Sequence, residues 1–308
     1  MHNMTSKEIN MRALGLLASQ DLITSQKLFF ENARRNPSYQ TYNNLGFFLL
    51  TEGLTDKNGR TRNAEKLATK YLLKSLDIKE TATNHCAIAT LMNFMIRALR
   101  SINDECSLYR KMALHLERAT KLSSDFDIQY NLLRSKFALD YDIDTLLPEI
   151  RAIVSKKHCE ETVILYLEAL IKGAYYEEGL MCIEKYKQHL DDWDLFEFYT
   201  RTKMYQKALE LCEPIIERFS VEYFEASAII ECCVNTGNFE KARLYAGMIW
   251  EREAGYDYVR EDDKMSIILD NLDESSSFRR EILNEAHRMP PFMDMCCYFG
   301  CDKHGVSW

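Results

Sequence analysis

The feature that most constrains the fold is an internal period. The segment Leu195-Phe196-x2-Tyr199-x3-Lys203-x-Tyr205-x2-Ala208-x3-Cys212-x2-Ile215 recurs as Ile229-Ile230-x2-Cys233-x3-Gly237-x-Phe239-x2-Ala242-x3-Ala246-x2-Ile249, every position displaced by 34 residues. Apolar residues in Lys207-Ala208-Leu209-Glu210-Leu211-Cys212 and in Lys241-Ala242-Arg243-Leu244-Tyr245-Ala246 return at three- and four-residue intervals, which marks helices with one buried face. Each copy therefore reads as a helical hairpin. Ala208 and Ala242 let two antiparallel helices approach closely, Tyr205 and Phe239 fill the groove beside them, and Gly237 permits the turn. A unit of this kind buries its apolar face only against its neighbours, so copies must stack into an array.

The best single motif lies near the N-terminus: Tyr42-x2-Leu45-Gly46-x2-Leu49-x3-Gly53. This spacing and the 34-residue period together resemble the tetratricopeptide family, with tyrosine standing where the family has tryptophan. The matching second helix, Ala68-x3-Leu72-x2-Ser75-Leu76, arrives about ten residues late, so Leu54 to Asn63 is an insertion in the inter-helix turn. Weaker copies are Leu14 to Pro37, with Ala33 and Pro37 at the family's closing positions, and Leu165-Tyr166-x2-Ala169-x3-Gly173-x-Tyr175. Residues 82–121 and 125–155 keep helical periodicity without the signature, and Pro148 is placed to start or kink a helix. The resemblance spans about residues 8–252. It implies an all-α fold, a right-handed α-α superhelix of six or seven helical pairs over residues 1–255. After Glu253 the period stops. The polar stretch Tyr256 to Lys264 and a last helical pattern at Phe278 to Arg288 suggest a C-terminal helical cap over residues 256–289, followed by a tail at 290–308.

Composition agrees with long helices and short turns: 308 residues contain only 11 glycines and 5 prolines. A formal charge of -8 argues against broad contact with nucleic acid or an anionic membrane, and no apolar run approaches a membrane span. The run Ala13-Leu14-Gly15-Leu16-Leu17-Ala18 is too short for a secretory core, so the expected location is cytoplasmic. Seven of the ten cysteines (Cys86, Cys106, Cys159, Cys182, Cys212, Cys232 and Cys233) are scattered through helical segments, as suits reduced, buried thiols.

Stacked first helices create a concave surface on which such repeats take extended peptides, so the expected function is a non-catalytic scaffold for a protein or peptide ligand. Asn43, Asn44, Asn84, Asn93 and Asn131 fall on predicted first helices, where the family uses asparagines to hydrogen-bond a peptide backbone. Asn44 stands out because it precedes Leu45-Gly46, the place of the asparagine in members that clamp a terminal carboxylate. The basic residues that complete such a clamp have no match here. The insertion carries Lys57, Arg60 and Arg62, a small basic patch that is either a solvated loop or a contact for an acidic partner.

The tail after Pro290-Pro291 is the sharpest local anomaly, with Cys296, Cys297, Cys301 and His304 inside nine residues. Thiolate and imidazole suit zinc, and Met293 and Met295 would add thioethers suited to Cu(I), while Gly300 and Gly305 allow tight turns. Three readings stand side by side: a tail packed on the last helix or disordered, a metal site, and the substrate of a modifying enzyme that recognises the helices in leader-and-core fashion. Catalysis has no support, since phosphate loop, nucleophile elbow and H-E-x-x-H are all absent and the pairs His85-Cys86 and His158-Cys159 diverge on a helix.

Overall fold

The computed structural model describes residues 4–56, 58–98, 102–218, 223–238, 240–242 and 289–308. These residues form thirteen α-helices and one short hairpin: α1 (Ser6–Ala18), α2 (Leu22–Arg35), α3 (Tyr39–Thr51), β1 (Leu54–Thr55), β2 (Thr61–Arg62), α4 (Glu65–Ile78), α5 (Ala82–Ala98), α6 (Ile102–Leu122), α7 (Phe126–Ala138), α8 (Ile143–Lys156), α9 (Glu160–Lys172), α10 (Tyr176–Tyr186), α11 (Asp192–Arg201), α12 (Tyr205–Arg218) and α13 (Tyr223–Asn235). The expected cap helix at Phe278 to Arg288 and the second-repeat positions Phe239, Ala246 and Ile249 lie outside the described residues. Among the described residues no helix is long and apolar enough to cross a membrane.

The chain divides into two compact units, residues 1–142 with 292–308, and residues 143–291. Inside the first, each helix from α1 to α7 packs on the next, and α3 also touches α5. Inside the second, α9 packs on α8, α10 and α11, while α12 packs on α11 and α13. Contact of a helix with both its successor and the next first helix is what stacked helical hairpins produce. The core of the second unit gathers Phe196, Ala208, Ile229, Ile230, Cys232, Cys233 and Ala242, so the two small residues at the expected close approach are buried there. Pro148 sits within α8 without ending it.

A left-handed residue closes a first helix at six places. Gln20, Gly53, Asp140, Ala174, Lys203 and Gly237 all have left-handed backbone, with φ between 56° and 76°. At the ends of α1, α7, α9 and α11 the left-handed residue donates its N–H three residues back and the next residue donates five back, the Schellman arrangement that satisfies the last helical carbonyls. Lys203 and Gly237 are 34 residues apart, so the repeat needs this backbone even where it lacks glycine. In the copy containing Gly173 the left-handed residue is Ala174, one position later than the motif suggests. A side chain in this region costs roughly 1–2 kcal/mol, partly offset by glycine's greater loss of freedom. Lys203→Gly is therefore expected to raise stability by about 0.5–1 kcal/mol, read as a higher midpoint in urea.

Gly46 shows why the N-terminal motif wants Leu-Gly. A Cβ built there would lie 2.8 Å from Leu72 Cγ and 3.0 Å from the Leu72 backbone nitrogen, so α3 and α4 meet backbone to backbone at this point. Leu72 is fully buried and has nowhere to move. Gly46→Val should cost about 3 kcal/mol from overpacking, with loss of the cooperative thermal transition as the check.

The insertion at 54–63 folds as the β1–β2 hairpin, with Leu54 opposite Arg62 and Thr55 opposite Thr61. It is tied to α2 through Gln26, whose Nε2 donates to Thr55 O at 3.0 Å and whose Oε1 accepts from Thr55 N at 2.8 Å. Arg60 and Arg62 are exposed on it, and Lys57 lies outside the described residues.

Candidate functional site

The inner face of the first unit carries a row of buried polar side chains among apolar ones. Asn10 on α1, Asn43 and Asn44 on α3, and Asn131 on α7 are each 1% exposed or less, a condition that demands hydrogen-bond partners. The partner is the chain's own segment 292–299. Asn44 Nδ2 donates to Phe299 O at 2.8 Å and its Oδ1 accepts from Phe299 N at 2.7 Å, so one side chain engages both polar groups of one residue's backbone. Asn131 does the same to Met293, with Nδ2 to O at 2.9 Å and N to Oδ1 at 3.0 Å. Between these clamps Asn43 Nδ2 donates to Cys297 O at 2.6 Å. Asn10 donates to Phe299 O at 2.8 Å and also accepts from Asn44 Nδ2 at 2.6 Å.

The two reciprocal clamps occupy equivalent places in the repeat, since Asn44 and Asn131 each stand nine residues before a left-handed closing residue, Gly53 and Asp140. The corresponding positions of the second unit are Leu165, Asp194 and Ala228, so the asparagines are confined to the unit that holds the segment. Asn10 went unnoticed in the sequence although it is 34 residues before Asn44. The period itself was the signal, hidden by the degeneracy of the first repeat. Asn84 is used otherwise. Its Nδ2 donates to Lys79 O and its Oδ1 accepts from Thr81 N, at the start of α5. Asn93 is buried on α5.

Apolar contacts seat the segment. Phe292, Met293, Met295, Cys297, Tyr298 and Phe299 are all buried. Tyr298 stacks on Phe29 with ring centroids 5.9 Å apart and meets Phe47 edge-on at 4.9 Å, while its hydroxyl lies 3.2 Å from Thr51 Oγ1. Burial pushes its phenol far above the ordinary tyrosine range. Phe299 packs edge-on against Tyr39, and the Arg134 guanidinium lies 5.7 Å from the Phe292 ring centre. Gly300 turns the chain out of the groove in left-handed backbone, where a Cβ would stand 3.0 Å from the Asn10 amide nitrogen. The tail therefore packs across the inner face of the first unit and not on the last helix, the place that one of its three expected readings gave it.

Beyond the groove, Cys296, Cys301 and His304 bring one donor atom each within 4.8 Å of one another, and Cys301 Sγ is 3.1 Å from His304 Nδ1. Cys297, the fourth expected ligand, does not join them. It is fully buried beside Cys86 and Thr90, and burial holds its thiol well above the usual range. Burial, with a hydrogen bond to Cys301 adding to it, pushes the Cys296 thiol up to about 11. All nine described cysteines are free thiols, and the Cys212 side chain is outside the described ones.

Neither the known protein-family models nor the curated proteins include a match to this chain. Among solved structures, the P58(IPK) TPR domain is similar at 13% identity with a TM-score of 0.26, over 92% of this chain and 99% of that one. The repeated left-handed turn, the glycine contact between α3 and α4, and the neighbouring first helices carry the classification. The described residues form an array of stacked helical hairpins. In this helical array the candidate site is the inner face of the first unit, and what it holds is an extended polypeptide gripped by its backbone.

Proposed function

We propose that the chain is a polypeptide-binding scaffold whose groove, formed by α1, α3, α5 and α7, is held in cis by segment 292–299 and is reached by a partner's extended segment that displaces it. The observation that carries this reading is the reciprocal bonding of Asn44 to the Phe299 backbone, repeated by Asn131 at Met293. Backbone groups are common to every sequence, so clamps of this kind accept any extended chain, and the pockets around Tyr298 and Phe299 set the side-chain preference. The resident segment is an imperfect occupant. Asn43 Oδ1 is buried without a hydrogen bond, at a cost of roughly 1–3 kcal/mol that a ligand with a donor at that place would recover.

A protein or peptide is thus the expected partner, of a kind that presents an aromatic residue to the Phe29 and Phe47 rings. The test is competitive capture on immobilised protein with segment 292–308 deleted. Partners held by the groove should be released by synthetic peptide 292–308 and should fail to bind an Asn44→Ala, Asn131→Ala double variant. Capture that ignores both the peptide and the double substitution would refute the groove as the binding surface. The alternative, in which the tail itself carries the chemistry, has the convergence of Cys296, Cys301 and His304 in its favour.

A further inference from the structure

We propose that Cys296, Cys301 and His304 form a Zn2+ site that leaves one coordination position open toward an adjoining cavity. The local fold already presents the ligands. Residues Asp302–His304 make a 3-10 turn entered from Cys301, and in such a turn side chains three apart lie above one another, which brings Cys301 and His304 to the same side. The turn is closed by a bridge between Cys301 and Val306, with Val306 N donating to Cys301 O at 3.2 Å and Gly300 N to Val306 O at 2.9 Å. Gly300 and Gly305, both left-handed, mark its two ends.

Cys296 reaches the same point from the clamped segment. Burial alternates from Met293 to Cys297, with Met293, Met295 and Cys297 buried, Asp294 exposed and Cys296 half-buried, as expected of extended chain. The alternation explains why Cys296 and not its neighbour faces the turn. A tetrahedral zinc with Zn–S near ~2.3 Å and Zn–N near ~2.0–2.1 Å sets sulfur and nitrogen ~3.6 Å apart and two sulfurs ~3.8 Å apart. The 3.1 Å between Cys301 Sγ and His304 Nδ1 therefore has to open by only ~0.5 Å to admit the ion.

Two thiolates and one imidazole are soft and borderline donors, which favour zinc over the oxygen-seeking calcium and magnesium. Binding releases the two thiol protons to solvent and changes no oxidation state. The fourth position is left to water or an incoming donor. Cys296 and His304 line a cavity of about 600 Å³ that Asp125, Asp127 and Asp294 also border, so carboxylates stand around the space into which that position opens. The site rests on the geometry of the docked tail, from which Cys296 is presented, and needs no partner in the groove.

Cobalt is the probe, added to the reduced, metal-free full-length protein. The expected result is a thiolate-to-cobalt charge-transfer band together with the strong visible bands of tetrahedral cobalt, saturating at one equivalent and abolished by one equivalent of Zn2+. The bands should be lost in Cys301→Ser and His304→Ala, whose side chains lie in the short turn outside the groove. They should persist in Cys106→Ser, a control on α6. Absence of the bands in the unaltered protein, or their survival in Cys301→Ser, would overturn the proposal.

Discussion

Replacing Asn44 by alanine is expected to release the tail from the groove. The substitution removes both hydrogen bonds to Phe299 and the one to Asn10, leaving a buried N–H and two acceptors without that partner. A stranded buried polar group costs roughly 1–3 kcal/mol, and Asn10 can recover part of the loss through its own bond to Phe299 O. The net expectation is about 3 kcal/mol, which corresponds to roughly a hundredfold faster exchange of the Phe299 amide proton. The helices keep their own hydrogen bonds, so exchange in α9 and α11 should be unchanged. If the Phe299 amide exchanged at its unaltered rate in Asn44→Ala, the clamp would have no energetic role.

Tyr298→Ala should weaken docking by a comparable or larger amount, about 3–5 kcal/mol, because it empties the space between Phe29 and Phe47 and orphans the hydroxyl contact to Thr51. Tyr298→Phe keeps the ring and should cost about 1 kcal/mol. The comparison separates packing from hydrogen bonding, and amide exchange at Met293 and Phe299 reads both. Because the segment can undock while the helices stay folded, the global unfolding midpoint is expected to move less than local exchange does. Equal exchange rates in the two variants would mean that the aromatic pocket contributes nothing to seating the chain.

The helical array was legible in the sequence because its determinants are local and periodic. Alanine at a close approach, glycine at a left-handed turn and apolar residues at helical intervals each declare themselves within one repeat, and the 34-residue shift multiplies the signal. The turn at Lys203 was harder to read, since the repeat keeps the left-handed backbone there without the glycine that advertises it. Asn44 was legible from its place beside Leu45-Gly46. Its occupant was not, because Asn44 and Phe299 are 255 residues apart and nothing in either neighbourhood encodes the pairing. The same limit applies to Asn131 and Met293, 162 residues apart. Asn84 resembled the others in sequence but sits at a helix start, where its side-chain amide bonds the Thr81 N–H and the Lys79 carbonyl of the turn that leads into its own helix. In the tail, ligand count pointed to four donors. The alternation of an extended chain, which sends Cys296 and Cys297 to opposite sides, reduces them to three.

The most direct test of the central claim is fluorescence anisotropy of a labelled peptide 292–308 titrated with the chain lacking that segment, beside the full-length chain. Helical circular dichroism first establishes that the shortened chain is folded. The account predicts saturable binding to the shortened chain, much weaker binding to the full-length chain whose groove is already filled, and loss of binding when Asn44 and Asn131 are replaced by alanine. A folded, shortened chain that leaves the peptide unbound, or that binds it equally well without the two asparagines, would contradict it.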